Sequence, residues 1–591
     1  MEVVLAGLGD WSNNRQPVLT FCPMANAGGT RQVRSCAGLL ALALGIFGCG
    51  DRRLTAILEA PPAQGGGGPS NPEPEPGSCA PAGVPARPAM GWNGWNEFRC
   101  RAELDQAKFQ ANADALLTRG LRDVGYQYAN LDDCWQSPRG ADGSLSANSR
   151  FPDGIAALGR YVHAQGLKLG IYAHTVECKR PELTTPGSLG FEAKDAAAFA
   201  EWGVDYVKYA RCSGASPDDP ANFGAMQSAL ARTGRPMVLS IVAAPFEYWQ
   251  TGVARQWRIH GDIEPSWDAV LDVIDTNAKL AAYAGQGGFN DADMLWVGIP
   301  GLTEPENRAH FSLLALMASP LLLGVDLSKL TDADAAMVSN PEIIALNQDA
   351  LGLQGDLVEQ QGDVGVYAKP LSGCGARGVV LLNRGERAAD ASVTWQALGL
   401  AAGVASVRDL WSAQDLEAAA DQVTLTVPAH DVRALRIVGT EPALPRGNPY
   451  LSELPWTYAA NGWGPVERDQ ELGGEQAGDG QPLALGGTRY GKGLGTNSPS
   501  LVRYRLGKAC QSFSADIGID DLTGDSGSAV FQIWADGEKL FDSGLVLGTT
   551  PPRHIEVDVT GRTELRLFVG EVDDFGLDHA DWADARLTCN D

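Results

Sequence analysis

Carboxylates recur in this sequence where short apolar runs stop. Asp132 and Asp133 end one such run, Asp262 closely follows a second and Asp293 a third. Lys208 and Arg258 stand at the ends of further runs, and Trp95 and Tyr172 occupy equivalent points. Two carboxyl groups facing one substrate can do acid–base work, and one of them can serve as a nucleophile. Aromatic rings edged by carboxylates, a lysine and an arginine suit a sugar: its apolar face lies on the aromatic surface and its hydroxyls meet the charged edges. A single acidic pair is ordinarily a solvated loop; several run ends carrying sugar-compatible groups point to a site instead. Cysteine and histidine show no metal-ligand spacing, so neither a metal nor a cofactor is expected.

These groups meet only if the runs that carry them converge. Residues 90–95, 127–132, 167–173, 206–210, 237–241, 257–260, 288–291 and 321–325 read as strands. Between them, stretches such as 104–119, 193–202, 220–232 and 305–317 place apolar residues at i, i+3 and i+4, the helical period. Strands alternating with helices make a parallel sheet, and eight repeats close a (β/α)8 TIM barrel, expected here over residues 85–350. The polar groups sit at the carboxyl ends of the strands, where barrels build their sites. No glycine-rich phosphate loop follows the last two strands, which argues against a cofactor-using barrel.

The residues at these ends resemble a known family. Met90-Gly91-Trp92-Asn93-Gly94-Trp95-Asn96 and Tyr128-Ala129-Asn130-Leu131-Asp132-Asp133-Cys134-Trp135 are similar to the opening barrel motifs of glycoside hydrolase family 27. That family includes α-galactosidases and α-N-acetylgalactosaminidases. The similarity continues through Gly170-Ile171-Tyr172-Ala173, Val204-Asp205-Tyr206-Val207-Lys208-Tyr209, Trp257-Arg258-Ile259-His260-Gly261-Asp262 and Phe289-Asn290-Asp291-Ala292-Asp293-Met294. The resemblance implies a retaining exo-hydrolase that releases terminal α-linked galactose-type sugars from oligo- or polysaccharides without a cofactor. Such an enzyme needs a nucleophile and an acid/base about 5–5.5 Å apart. By the same resemblance Asp262 is the acid/base, and Asp132 and Asp133 bind the 6- and 4-hydroxyls. Lys208 and Asp293 hold further hydroxyls, Arg258 reaches the 2-position, and Trp95 and Tyr172 wall the pocket. It also implies the disulfides Cys100–Cys134 and Cys178–Cys212.

Two departures qualify that expectation. The family carries its nucleophilic aspartate two residues after the lysine of the fourth strand, where this chain has Ala210 in Lys208-Tyr209-Ala210-Arg211-Cys212. Double displacement therefore has no nucleophile, and Asp218 and Asp219 lie in a turn-rich segment and are poor substitutes. Either the aspartate was removed by engineering, leaving an inactivated enzyme, or the chain is a non-catalytic carbohydrate-binding protein on the same fold. The second departure follows the fifth strand, where α-galactosidases of the family carry Cys-Glu-Trp and this chain reads Ile241-Val242-Ala243-Ala244-Pro245-Phe246. Small residues there also occur in the N-acetylgalactosaminidase branch, so the 2-substituent is open; β-L-arabinopyranosidase and isomalto-dextranase activities also occur in the family.

Beyond the barrel, residues 351–440 change to short alternating strands, an antiparallel β-sandwich similar to the one that follows the barrel in this family. Residues 441–591 resemble the NPCBM module, a second β-sandwich in which some members bind galactose-type sugars. Cys510 and Cys589 are placed to close it. Ahead of the barrel, Arg31 and Arg34 precede an apolar stretch ending Gly48-Cys49, which resembles a bacterial lipoprotein leader over 1–49 with Cys49 as the lipid anchor. The Pro- and Gly-rich residues 50–84 read as a tether. The expected destination is export: secreted, periplasmic or anchored at the bacterial cell surface. Disulfides fit that compartment, and Cys79 with Cys374 is the pair left over. The 72 acidic against 46 basic residues give a net charge of −26, which repels nucleic acid.

Overall fold

Short β-rich runs in this chain are separated by helices with clear start signals, and the computed structural model follows them closely. It describes residues 87–591 except 102, 180–183, 213–215, 217, 286, 475 and 571–577. The leader, the linker, Cys49 and Cys79 lie outside the described residues. Eight parallel strands run as β1 (Met90–Asn93), β2 (Tyr128–Leu131), β3 (Lys168–His174), β4 (Val204–Ala210), β5 (Val238–Val242), β6 (Gln256–Arg258), β7 (Phe289–Asp291) and β8 (Leu321–Leu323). Their order in the sheet is β8-β1-β2-β3-β4-β5-β6-β7. The ring closes just past β7, where Leu295 N–H donates to Leu322 O at 2.9 Å and Gly324 N–H to Leu295 O at 3.1 Å. This is the expected TIM barrel.

Helices α1 (Gln106–Thr118), α2 (Ile155–Ala164), α3 (Glu192–Trp202), α4 (Asp219–Arg232), α5 (Trp249–Val253), α6 (Trp267–Lys279) and α7 (Glu304–Leu316) alternate with the strands. Asp105 caps α1, Ser266 caps α6, and Thr303 with Glu306 forms a capping box on α7. Strand ends shift by up to two residues from expectation, and at two of them the cause is a side chain. The strand expected over 90–95 stops at Asn93, because the Asn93 side chain accepts the Trp95 N–H at 3.0 Å and turns the chain into a short helix. The strand expected over 257–260 stops at Arg258, whose side chain then reaches Asp262.

After two further helices, α8 (Asp332–Val338) and α9 (Pro341–Asn347), the chain builds an antiparallel sandwich around Val366, Val379, Leu381, Trp395, Val407 and Ile437. Its main sheet contains Asp356–Gln361, Val364–Pro370, Ala376–Asn383, Asp431–Val438 and Val404–Asp409. The last module stacks two five-stranded sheets over Phe513, Phe531, Leu567 and Trp582. The Cys510–Cys589 bond ties its first long strand to its last. The bonds Cys100–Cys134 and Cys178–Cys212 are present, and Cys374 is also disulfide-bonded.

The three parts share interior. Arg308 of α7 pairs with Asp431 of the sandwich at 2.7 Å, and Arg408 grips Glu342 of α9 with two contacts of 2.7 Å. Tyr458, Ala460, Leu501 and Phe568 of the last module join the same buried apolar cluster as the barrel, with Phe568 6.1 Å from Tyr283. Among the described residues no helix is long and apolar enough to cross a membrane.

Candidate active site

Alternation along β3 and β4 sends every second side chain to the barrel interior. Tyr172 and Lys208 are register partners and face each other, with the ammonium 5.4 Å from the ring centre. From β2, Asp132 turns inward and its Oδ2 accepts from Lys208 Nζ at 2.8 Å and from Asn93 Nδ2 at 2.7 Å. Its Oδ1 takes the Asp133 N–H at 2.8 Å, and Asp133 Oδ1 takes the Cys134 N–H at 2.6 Å. Both carboxylates are buried and held at fixed angles by backbone next to the Cys100–Cys134 bond.

Across the mouth, Arg258 is buried among carboxylates. It meets Asp262 at 2.9 Å, Asp293 at 2.8 Å and Asp291, its register partner, at 3.8 Å. Asp293, at φ 71°, is fixed by the Ile263 N–H, which donates to Oδ2 at 2.9 Å. Trp95 hydrogen-bonds Asp262, so the aromatic wall and that carboxylate form one unit. The environments of the two acids differ. Burial pushes Asp262 up, but the charges of Arg258 and Lys208 and the bonds from Arg258 and Trp95 outweigh it and hold the carboxyl below its usual range. At Asp293 burial wins over Arg258, with help from Asp262 and Asp291, and the carboxyl is raised. Carboxyls driven apart in this way can take different protonation states in one pocket.

The eight groups expected from sequence, Trp95, Asp132, Asp133, Tyr172, Lys208, Arg258, Asp262 and Asp293, thus converge on one end of the barrel. Ala210 ends β4 on the same face, 1% exposed, with the Thr175 N–H donating to its carbonyl at 2.8 Å. Asp219 is bound by Arg211 at 2.8 Å and by the Ser216 N–H at 3.0 Å at the start of α4, which commits it to the loop. Arg211 also reaches the Ala244 carbonyl, pinning the small-residue loop after β5, whose Phe246 packs on Tyr283 with ring centres 4.9 Å apart.

Sequence reading missed Asn93, His174 and Asp291. Asn93 and Asp291 lay inside the quoted motifs, with no signal of what they would hold. His174 was within reach: it lies two residues past Tyr172 and so on the same face of β3. It is 1% exposed and its Nε2 lies 3.1 Å from Asp133 Oδ2.

Comparison with known proteins agrees with the geometry. Residues 87–349 match the family model "Alpha galactosidase A", 361–437 the "Alpha galactosidase C-terminal beta sandwich domain" and 447–588 the "NPCBM/NEW2 domain". The chain is 40% identical over 356 residues to alpha-galactosidase 2 of Arabidopsis thaliana, which spans 59% of this chain and 88% of that protein. It is 44% identical over 357 residues to the alpha-galactosidase of Coffea arabica, spanning 59% of this chain and 93% of the relative. The crystal structure of alpha-galactosidase I from Mortierella vinacea superposes with a TM-score of 0.57 at 32% identity, covering 60% of this chain and 98% of that one. Because such relatives are matched over nearly their whole length, the chain belongs to glycoside hydrolase family 27, the family of the α-galactosidases.

Proposed function

We propose that the barrel mouth takes the terminal α-linked galactosyl group of an oligo- or polysaccharide, with Asp132, Asp133, Lys208 and Asp293 on its hydroxyls, Arg258 toward the 2-position, and Trp95 and Tyr172 against its ring. The observation that carries the reading is the Asp132 carboxylate clamped between Lys208 and Asn93, facing across the mouth the Asp262 that Trp95 and Arg258 hold. In this reading Asp262 is the acid/base. Double displacement also needs a carboxylate on the opposite face of the anomeric carbon, and residue 210 is alanine. The retaining route of the family is closed in this chain.

Supplying the missing group tests this. Ala210→Asp should give α-galactosidase activity with retention. In the unaltered chain, azide should attack an activated aryl α-galactoside from the open face and yield the β-galactosyl azide. An Ala210→Asp chain that folds normally and cleaves no α-galactoside, α-N-acetylgalactosaminide or β-L-arabinopyranoside, together with no azide rescue, would overturn the enzyme reading in favour of a sugar-binding protein.

Two finer assignments belong to the same proposal. If the small residues Val242, Ala243 and Ala244 leave space where a glutamate usually sits, calorimetry should find N-acetylgalactosamine bound about as well as galactose. A preference for galactose beyond about tenfold, roughly 1.4 kcal/mol, argues for a plain α-galactosidase pocket. In the same reading the chain is exported and anchored through Cys49, and its C-terminal module carries a second carbohydrate-binding surface; retention on a galactoside matrix that outlasts blockage of the barrel would support that surface.

A further inference from the structure

The charged groups at the barrel mouth are closed in on every side but one. The side chains of Asp132, Asp293 and Arg258 are 3%, 1% and 2% exposed, whereas that of Asp262 is 49% exposed. An acid/base gives its proton to the glycosidic oxygen, so the leaving group stands on the side of Asp262, and here that is the side solvent reaches. Glu264 lies two residues past Asp262, which keeps their Cα atoms within about 7 Å of each other. The turn that carries both is pinned. Ile263 is buried with its N–H on Asp293, and Ser266, the cap of α6, donates its N–H to the Glu264 carbonyl at 2.8 Å. The Glu264 side chain is exposed beside the acid. Arg99 meets it there: the guanidinium is 3.3 Å from Glu264 Oε1 and 5.8 Å from the centre of the Trp95 ring, and Trp95 hydrogen-bonds Asp262. An exposed ion pair adds little to stability. Arg99 also sits at φ 51°, which residues other than glycine seldom adopt, held by its N–H on the Trp95 carbonyl at 2.8 Å and by the Cys100–Cys134 bond beside it. A strained residue kept at the open edge of a site points to something that it binds.

We propose that Arg99 and Glu264 form the subsite for the leaving group, and that this group is itself a sugar: a neutral hexose ring beyond Trp95, with neighbouring hydroxyls on the guanidinium and the carboxylate. The proposal rests on the α-galactoside reading above and adds the chemical class of the aglycone to it. The pair itself selects that class. A guanidinium only donates and a carboxylate only accepts, whereas each hydroxyl of a sugar does both, so two adjacent hydroxyls satisfy the two side chains together. An apolar aglycone would cover the pair and strip its water without replacing those hydrogen bonds. A charged aglycone would gain one partner and be repelled by the other. In this arrangement the buried pocket chooses the sugar that is released, and Arg99 with Glu264 chooses what it is released from.

Calorimetry on the full, unaltered chain tests this, because with alanine at 210 the retaining route is closed and a disaccharide stays intact in the site. Melibiose, a galactosyl-glucose, and methyl α-galactoside present the same galactosyl group and differ in the second ring. Melibiose should bind about tenfold tighter or more. Glu264→Ala should bring the two affinities within about threefold of each other while that for methyl α-galactoside is kept. Arg99→Gly should do the same, and glycine accepts the backbone angle at 99 without strain, so this variant keeps its fold. Melibiose bound no tighter than the methyl glycoside overturns the proposal, as does a preference for melibiose that both variants retain. Equal losses for the two ligands in either variant also overturn it, since the pair would then be shaping the galactosyl pocket. A chain that binds neither glycoside overturns the α-galactoside reading itself.

Discussion

Arg258 shows how one residue can set the chemistry of its neighbours. Its guanidinium is buried with Asp262, Asp291 and Asp293 around it, and the two carboxylates it touches most closely are shifted in opposite directions. Replacing it with methionine would strand Asp291 and Asp293 without a counter-charge, and a loss of about 3–5 kcal/mol is expected in denaturant unfolding. The sign at Asp262 gives a second expectation. A general acid works in its protonated form, and this carboxyl is held below its usual range, so the protonated fraction shrinks as pH rises. In an Ala210→Asp chain, kcat/KM should therefore climb toward acidic pH and fall tenfold per unit on the far side. The new carboxylate at 210 opposes that lowering and moves the alkaline limb upward; an alkaline limb that Asp262→Asn leaves in place would exclude Asp262 as the acid. Asp262→Asn in that background should cost about 100-fold or more. At this scale the sequence was most informative where a charged or aromatic side chain ended an apolar run. It was silent where the role depends on a partner far along the chain, as with Asn93 on Asp132 and Asp291 on Arg258.

Among the elements, β3 and β4 matter most, because their register brings His174 level with Ala210 and Tyr172 level with Lys208. The Cys178–Cys212 bond lies a few residues beyond both strand ends, with Cα atoms 5.3 Å apart, and closes a loop of 34 residues. Exchanging both cysteines for serine should lower stability by about 3–4 kcal/mol, readable as a drop in melting temperature. Galactose affinity should fall with it if the bond also holds the strand ends level. The strands were legible because the apolar runs are short and bounded. Their ends were less so: Asn93 stops β1 with its own side chain, a local hydrogen bond that a pattern of apolar residues does not encode. The helices named from their period, 104–119, 193–202, 220–232 and 305–317, are present as α1, α3, α4 and α7, with Asp105 capping α1 and Thr303 capping α7.

For the molecule as a whole, the composition and the three successive patterns announced three folded parts but not how they meet. The joins are made by pairs such as Arg308 with Asp431 and Tyr283 with Phe568, whose partners lie far apart in the chain. Within the last module, Glu564 sits between Arg503 and Arg566. Burial pushes its carboxyl up, but the two guanidinium groups prevail and hold it at about 2 against an ordinary 4.5. A lowered acid contributes its full stabilisation above the unfolded value and loses it as pH falls through the folded one, so about 3 kcal/mol should fade between pH 4.5 and 2. Glu564→Gln should be less stable at pH 7 and lack that share of the acid loss; an unchanged pH profile of melting would show that the pair carries no such linkage.

The apolar cluster that runs unbroken from the barrel into the last module has a mechanical consequence. A module on a flexible stalk searches a volume and raises the local concentration of any chain it catches, whatever the spacing of its side groups. Here Tyr458, Leu501 and Phe568 are set in the same interior as Tyr283, so the module cannot swing. If it carries the proposed carbohydrate surface, the two sites stand at a fixed gap and angle, as the jaws of a caliper do. A branched polysaccharide would then be gripped at both points only where its branches recur at the interval that the packing sets.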